Sequence, residues 1–209
     1  MNYDRDPIYL HPTLHNSLAG ILAEIDSKFD AEHSVKMISG HRTPEDQFEL
    51  FKKGRVFRDG KWVKSDQGGV VTNLDGFSKL SYHNYLPCLA LDIGIFKNGT
   101  YIEADGPYAK VKFGADKFGL EWGGSWTSFV DRPHIQIPGS KLVLGTLAKE
   151  SLLQWQRYLK KSGKYVGALD GVFGKMSQDA LEAVTGSRVR SLQTWRTLVE
   201  TLGPLSASD

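Results

Sequence analysis

The 209-residue sequence has a single cysteine, little net charge and no long apolar run. One cysteine, Cys88, excludes a disulfide framework within the chain, so nothing in the sequence indicates an oxidising compartment. The formal net charge is +2, which is too small to indicate nucleic acid as a partner. A local basic face that binds an acidic polymer remains compatible with so small a net charge.

The beginning of the chain, MNYDRDPIYLHPTLHNSLAGIL, lacks the basic segment followed by an apolar segment that marks a secretory signal. No stretch is apolar over the length that a membrane-spanning helix needs. These absences predict a chain without a signal peptide and without stable insertion in a membrane, made in a cytoplasm. With 40% hydrophobic and 24% charged residues, the composition is typical of a globular protein of one or two domains.

The chain divides into two parts of different character. Residues 1–140 mix helical spacing with short apolar runs typical of strands, and this mixture predicts an α+β domain. Residues 149–203 contain three segments of helical spacing and predict a small all-α domain of three helices. In that second part Ser151 is the expected N-cap of the first helix. The residues around 140–148 are the expected linker. Nothing in either part argues against a monomer.

Local signals predict three elements of the first part. Thr43 followed by Pro44 is a typical helix start, with the threonine as N-cap and the proline in the first turn. Residues 55–80 are polar and rich in glycine, and predict a long loop or a hairpin that turns at RDGKW. Residues 107–118 predict a single helix.

A carboxylate interrupts an otherwise apolar strand, CLALDIGIF. The two-residue period of a strand puts Asp92 on one face with Ala90 and Gly94, whereas leucine and isoleucine residues form the other face. The small neighbours leave space around the carboxylate, and a lone buried carboxylate is costly unless it is paired or binds a cation. The alternative is that Asp92 is exposed, or hydrogen-bonded at a sheet edge.

Two histidines and a second aspartate complete a candidate site. His83 precedes Asp92 by nine residues, and His134 lies in a later strand-like run, RPHIQI. Two imidazoles and one carboxylate are a ligand set expected of catalytic zinc, which keeps a fourth position for water. Asp131 can reach the same cavity, where a carboxylate takes a proton from such a water. A structural role is the alternative for His134, because spacing alone does not connect it to His83.

Three segments in the order SGHRTPEDQ, SYHNYLPCLALD and EWGGSWTSFVDRPH carry a family resemblance over residues 39–136. They resemble the VanY-like, or M15, zinc peptidases, which include D-Ala-D-Ala carboxypeptidases and L-alanyl-D-glutamate endopeptidases, and they are most similar to phage endolysins of that group. The family pattern is S-G-x-R-[ST]-x-x-x-Q, then S-x-H-x-x-G-x-A-x-D, then W-G-G followed by D-x-P-H. The resemblance implies a small antiparallel-sheet zinc peptidase domain with flanking helices.

The resemblance also implies roles for five residues. His83, Asp92 and His134 correspond to the ligands of one zinc ion per chain. Asp131 corresponds to the general base. Arg42 corresponds to the substrate-binding cation that faces the scissile carbonyl and its developing oxyanion. The alternative for Arg42 is a surface arginine at the start of a helix, although a positive charge is poorly placed there relative to the helix dipole.

The chain departs from the family pattern in the loop between the first two ligands. Eight residues separate His83 from Asp92, with LPC in the place of a single glycine. The motif residues match on both sides of this insertion, so we expect both ligands to be retained, while the loop geometry and the substrate fit stay open. Cys88 is either a further zinc ligand or a small buried apolar residue. Trp122 and Trp126 are candidates for a cleft wall or for core packing.

The second part, LLQWQRYLKKSGKYVGALDGVFGKMSQDALEAV, resembles the small three-helix peptidoglycan-binding domain. Gln154, Tyr165, Asp170 and the glycines between the helices match that frame, and the resemblance ends after Val184. The alternative is a helical cap that only stabilises the peptidase. Lysine and arginine residues along this part suit an anionic wall polymer, but solvated helix faces are often equally basic.

These observations predict a phage endolysin, a zinc peptidase that hydrolyses the L-alanyl-D-glutamate bond of bacterial peptidoglycan. It would accumulate in the cytoplasm of the host bacterium and act on the cell wall after release. One alternative is a D-Ala-D-Ala carboxypeptidase of the same family. Another is a non-catalytic wall-binding protein with a structural zinc. A zinc amidase that cuts between muramic acid and L-alanine is disfavoured, because its motifs are different.

Overall fold

The computed structural model describes residues 3–206 and 209, and has the predicted α+β class. Short 3-10 turns connect several of the regular elements. The α-helices are α1 (Pro12–Asp26), α2 (Pro44–Lys52), α3 (Asp105–Tyr108), α4 (Val111–Lys117), α5 (Leu147–Lys161), α6 (Lys175–Thr185) and α7 (Leu192–Leu202). The strands are β1 (His33–Ser39), β2 (Arg55–Arg58), β3 (Lys61–Lys64), β4 (Ala90–Lys97), β5 (Thr100–Tyr101), β6 (Glu121–Trp122) and β7 (His134–Gln136).

The main sheet is antiparallel and has the strand order β1-β4-β7-β6, with the short β5 paired to the far end of β4. Strand β4 is central and alternates as the sequence predicts. Leu91, Ile93 and Ile95 are fully buried in the core, where they lie in one apolar cluster with Ile21 and Ile25 of α1. The face of β4 that carries Asp92 is therefore the face left for the site.

Helix α4 packs closely against α1, and a glycine permits the approach. A Cβ atom at Gly114 would lie 2.7 Å from the side chain of Ile25, which is closer than real contacts allow. The single helix predicted over residues 107–118 is wrong, because the structure divides it into α3 and α4. The amides of Ala109 and Lys110 bond to carbonyls three residues back, so the backbone tightens there.

Two local predictions of the first part are confirmed. Thr43 caps α2, its side chain accepting a hydrogen bond from the amide of Asp46, and Pro44 is the first helical residue. Strands β2 and β3 form the hairpin, and its turn residues Asp59 and Gly60 both have positive φ, at 50° and 76°. An Asp-Gly pair tolerates this turn geometry well.

Helices α5, α6 and α7 build a second apolar cluster around Trp155, Leu181 and Trp195. The structure corrects the predicted start of α5. This helix begins at Leu147, and Thr146 rather than Ser151 caps it by accepting from the amide of Lys149. Ser151 lies inside the helix and is buried.

The second cluster is not built from the three helices alone. Tyr9 is a buried member of it, and Ile8 and Leu86 pack against it. The helical part therefore packs against two segments of the peptidase part, the start of the chain and the loop after His83. Among the residues that the structure describes, no helix combines the length and apolar character needed to cross a bilayer.

Candidate metal centre

Neighbouring strands bring Asp92 and His134 together. In the β4–β7 ladder Asp92 lies directly opposite His134, and on the other side of β4 it lies opposite Ser39 of β1. Directly opposed residues in an antiparallel pair have Cβ atoms only about 4.5–5.5 Å apart. The sheet register therefore places an aspartate beside a histidine that follows it by 42 residues.

A short turn of 3-10 helix, Tyr82–Asn84, holds His83 over this pair of strands. Ser81 and Asn84 cap the turn reciprocally, with the Asn84 side chain accepting from the Ser81 amide at 2.8 Å. The backbone carbonyl of His83 also accepts from the amide of Arg42 at 2.9 Å. The turn is thereby fixed to the segment that precedes α2.

The hydrogen bonds of the two histidines define which ring nitrogens are free. Nδ1 of His83 lies 2.6 Å from the carbonyl oxygen of Gly40, which can only accept, so this nitrogen carries the proton. Gln136 donates to Glu121 at 3.2 Å, which leaves its Oε1 to accept from Nε2 of His134 at 3.0 Å. The free lone pairs are therefore on Nε2 of His83 and Nδ1 of His134.

These two lone pairs and a carboxylate oxygen converge on one point. Nε2 of His83 and Nδ1 of His134 are 3.2 Å apart, and Oδ1 of Asp92 lies 3.4 Å and 3.2 Å from them. The three ligand atoms all lie within 4.8 Å of one another. Three acceptors that face one another, two of them buried and the third half-buried, require a shared cation or an additional proton. These three ligand atoms therefore fit a metal ion.

The electrostatics of the three side chains agree with this fit. Burial lowers the pKa of His83. Burial alone would raise the pKa of Asp92, but His83, His134 and Arg42 outweigh it and hold that pKa well below its usual range. Burial opposes protonation of His134, but the hydrogen bond to and charge of Asp92, together with the charge of Asp131 and the bond to Gln136, outweigh the burial and raise the pKa, so an added proton or cation is favoured between these groups. The carboxylate thus stays ionised and attracts positive charge.

Arg42 lies beside the metal centre and bonds to the carboxylate oxygen that faces away from the histidines. Its Nη2 donates to Oδ2 of Asp92 at 2.9 Å and to Ser39 at 2.8 Å, and its Nη1 donates to Gln47 at 2.8 Å. Guanidinium has five N–H groups, so two are not used by these three bonds. The structure shows that Arg42 contacts Asp92 and can orient it. The contact of Arg42 with the oxyanion of a substrate, which the resemblance implies, remains a prediction.

The centre opens into a cavity of about 690 Å³, which Asp131 also lines. Burial, and after it the charge of Asp92, raises the pKa of Asp131 to about 6. A backbone hydrogen bond that closes the loop of residues 123–131 positions this residue. The carbonyl of Gly123 accepts from the Asp131 amide at 3.1 Å, and a Cβ atom at Gly123 would lie 2.5 Å from the Asp131 carbonyl oxygen.

Trp126 answers one of the open questions of the sequence. It lines the cavity, and its ring centre lies 5.2 Å from that of His134. Its indole N–H donates to Glu121, the same carboxylate that accepts from Gln136. Trp122 instead packs against the apolar core. In one wall of the cleft, hydrogen bonds through Glu121 and Gln136 therefore link Trp126 to His134.

Cys88 is not among the residues whose ligand atoms meet at the centre. It is fully buried, its thiol lies 3.4 Å from the Ala90 carbonyl oxygen, and burial raises its pKa. A protonated thiol is a poor metal ligand. Cys88 has the surroundings expected of the small buried residue that was the alternative.

Sequence reasoning missed the side chains that hold the metal-centre residues in place, namely Ser39, Gln47, Glu121 and Gln136. Two signals were present. Ser39 and Gln47 lie within the SGHRTPEDQ segment, and Gln136 shares a strand face with His134 because it follows two residues later. Glu121 gives no such signal, since only the pairing of β6 with β7 brings it to Gln136.

Comparison with known proteins identifies the family. A model for peptidase M15, described as D-alanyl-D-alanine carboxypeptidase, matches residues 75–137. The peptidoglycan L-alanyl-D-glutamate endopeptidase CwlK of Bacillus subtilis (strain 168) is 32% identical over 141 residues, which cover 63% of this chain and 75% of CwlK. This chain belongs to the M15 peptidase family. Like other M15 peptidases it is a metallopeptidase, a hydrolase of peptide bonds.

A solved structure was also found. The crystal structure of the Serratia marcescens L-Ala D-Glu endopeptidase ChiX matches with 22% identity and a TM-score of 0.40, covering 63% of this chain and 82% of that one. The segment that matches the M15 family model contains His83, Asp92, Asp131 and His134, and ends before α5.

Proposed function

We propose that this M15 peptidase is a zinc-dependent endopeptidase that hydrolyses the L-alanyl-D-glutamate bond of bacterial peptidoglycan. One observation carries the proposal. Three ligand atoms converge beside a cavity that their residues line, and Asp131 lines that cavity without being one of them. A structural zinc site usually closes with a fourth protein ligand, whereas a catalytic site keeps one position open.

His83, Asp92 and His134 would hold the zinc, through the nitrogens and the carboxylate oxygen that converge in the structure. Two imidazoles and one carboxylate suit zinc among the common divalent metals. Zinc supplies Lewis acidity to the site and makes a water molecule nucleophilic near neutral pH. The alternative with a purely structural zinc predicts the same metal content without hydrolysis.

Asp131 would be the general base. A carboxylate whose pKa lies near 6 can accept a proton at near-neutral pH and give it up again to the leaving amine. The backbone of Asp131 is held by hydrogen bonds with Gly123 and with the amide of His134, and its carboxylate is not one of the three converging ligand atoms. Its removal would therefore stop proton transfer and leave the ligand atoms in place.

Arg42 would have two tasks. It orients Asp92 through Nη2, and its two remaining N–H groups are available to the carbonyl oxygen of a bound substrate. A fixed guanidinium charge next to the developing oxyanion stabilises the transition state without reorganisation. Because both tasks depend on the planar fork, lysine would replace it poorly.

The names of the relatives support an endopeptidase. CwlK and ChiX are both named as endopeptidases for the bond between L-alanine and D-glutamate. The description of the family model supports the rival, a D-alanyl-D-alanine carboxypeptidase. Besides the metal-centre residues, Gln47, Lys53 and the loop of residues 71–74 line the cavity. An endopeptidase needs room for substrate on both sides of the scissile bond.

The biological setting is proposed on the resemblance alone. The enzyme would be a phage endolysin that accumulates in the cytoplasm of the host bacterium and lyses it from within. Helices α5 to α7 would bind the wall polymer and raise the local concentration of substrate. The enzyme would act as a monomer.

Mass spectrometry of the products from purified peptidoglycan tests the reaction, with and without a chelator. We expect new N-terminal D-glutamate, its loss with chelator and its return on addition of zinc. Release of D-alanine would identify the carboxypeptidase instead. No product under either condition, with zinc bound, would indicate the wall-binding protein with structural zinc.

The variant Asp131→Asn tests the mechanism. We expect turnover to fall by a factor on the order of 10² or more, with zinc content unchanged, because only proton transfer is removed. Asp66→Asn, the same change at an exposed loop residue, is the control and should leave turnover unchanged. Normal turnover of Asp131→Asn would exclude Asp131 as the base.

A further inference from the structure

The loop between the first two metal-centre residues is held by the helical domain. The carbonyl oxygen of Leu86 accepts two hydrogen bonds from α5, one from the indole N–H of Trp155 at 2.7 Å and one from the hydroxyl of Ser151. The side chain of Leu86 packs against the second apolar cluster. Leu86 is the first residue of the LPC insertion that distinguishes this chain from the family pattern.

The start of the chain holds the same loop from the other side. Residues 4–11 are here called the N-terminal strap, and two of them form backbone hydrogen bonds with Cys88. The Cys88 amide donates to the Tyr9 carbonyl at 2.9 Å, and the His11 amide donates to the Cys88 carbonyl at 2.8 Å. Strap and insertion thus form one backbone-paired unit between the helical domain and the metal centre.

Helix α7 fixes the N-terminal strap in turn. The indole N–H of Trp195 donates to the Ile8 carbonyl at 2.7 Å. Arg196 forms an ion pair with Asp6 and donates to the hydroxyl of Tyr9 at 3.1 Å. The N-terminal strap is also connected to the metal centre by hydrogen bonds. Its Asp4 accepts from the hydroxyl of Ser39, and that hydroxyl accepts from Arg42.

The interface is buried and specific. Trp155 and Trp195 are 0% and 1% exposed. A buried pair crosses it, with Nε2 of His11 3.3 Å from Oε1 of Glu150. A module that is only tethered by a linker makes few contacts across its boundary and moves freely. Buried polar groups that are paired across an interface instead fix one relative orientation.

We propose that helix α5 of the helical domain is a positioning element of the peptidase. Through Ser151 and Trp155 it holds the loop between His83 and Asp92, and thereby sets how tightly the centre retains its metal. The inference rests on the proposed metal role of these residues. It assigns to the helical domain a task separate from attachment to the wall.

The physical reason lies in the length of the loop. Eight residues lie between the two ligands, and ordering each residue of such a loop costs on the order of 1 kcal/mol or more. Fixing the loop in the absence of metal removes that cost from the binding step. Residues that orient metal ligands change affinity by roughly 10- to 100-fold when they are removed.

The experiment compares metal affinity in full-length variants. Ser151→Ala combined with Trp155→Phe removes both hydrogen bonds to Leu86 and keeps an aromatic ring in the core. Ser162→Ala combined with Trp62→Phe makes the same chemical changes away from the loop, since the Ser162 hydroxyl bonds within α5 and Trp62 lies in the β2–β3 hairpin. Zinc affinity is measured by chelator competition well below the melting temperature of each apo variant.

We expect zinc affinity to fall by about tenfold in the loop variant and to remain unchanged in the control. Hydrogen exchange of residues 83–92 in the apo protein should also accelerate in the loop variant only. Ser151→Ala alone is measured where the double variant fails to fold. Equal zinc affinity in loop variant and wild type, even with a lower melting temperature, would overturn the inference. Absence of zinc binding by the wild type would instead overturn the proposed function.

Discussion

The most informative single substitution is at Gln136, whose side chain is hydrogen-bonded to the metal-centre residue His134. Gln136 accepts from Nε2 of His134 at 3.0 Å and donates to Glu121 at 3.2 Å. Both His134 and Gln136 are buried, at 5% and 7% exposure, so neither bond is readily replaced by water. Gln136→Met keeps the length of the side chain and removes both polar groups. It therefore separates orientation of the histidine from packing around it.

The size of the effect of Gln136→Met follows from the two hydrogen bonds that are lost. Loss of the group that orients a ligating histidine lowers metal affinity by roughly 10- to 100-fold, or about 1.4–2.8 kcal/mol. The buried N–H of His134 would also lose its acceptor, which costs about 1–3 kcal/mol of folding free energy. We therefore expect Gln136→Met to bind zinc on the order of tenfold or more weakly and to unfold at lower denaturant concentration.

The assay is zinc competition against a chromogenic chelator, with a denaturant titration of the apo protein alongside. Gln193→Met, the same change at an exposed position of α7, is the control and should match the wild type in both measurements. If Gln136→Met retains full zinc affinity, the bond from Gln136 does not fix the ring of His134, and the assignment of Nδ1 as the ligand atom loses its support.

Two further predictions concern stability and the cleft. Burial lowers the pKa of His11, and in Glu150 the hydrogen bond from His11 and the Val143 amide outweigh burial and lower the pKa, so both groups bind protons more readily in the unfolded chain. The contribution of this pair to folding stability should therefore be fully present above pH about 6.5 and should fall as the pH drops below it, first through His11 and then through Glu150. His11→Gln should flatten the pH dependence of the melting temperature between pH 5 and 7. An unchanged slope in this variant would contradict this origin. Gly123→Ala should lower turnover strongly, because its Cβ would lie 2.5 Å from the Asp131 carbonyl oxygen, whereas Gly139→Ala, with open space around the added methyl group, should have full turnover in the same peptidoglycan assay.

The sequence predicts local elements well where the signal is local. The Thr43-Pro44 start of α2 and the Asp-Gly turn of the β2–β3 hairpin depend only on neighbouring residues, and both occur as predicted. The predicted start of α5 is wrong because the expected cap has a different partner. Ser151 is a good N-cap by residue type, but its hydroxyl donates to Leu86, a partner 65 residues earlier in the chain. No local pattern reveals such a partner.

The candidate site shows the same division. The strand period predicts that Asp92 faces away from the core, and the structure places it opposite His134. Which nitrogen of each histidine faces the metal could not be predicted. That choice depends on the Gly40 carbonyl for His83 and on Gln136 and Glu121 for His134, and these contacts exist only once β1, β6 and β7 have taken their places.

The docking of α5 to α7 changes what a wall-binding domain would do here. A domain on a flexible linker raises the local concentration of substrate but leaves its orientation free. The helical domain is instead joined to the metal-centre loop through Leu86 and to the strap through Ile8. If it binds the wall as proposed, each bound glycan strand lies at a fixed direction from the cleft, and only stem peptides at a matching distance can reach the metal. Attachment would then select which bonds are cut, and weakening the interface at Trp155 should broaden the pattern of products as well as lower zinc affinity.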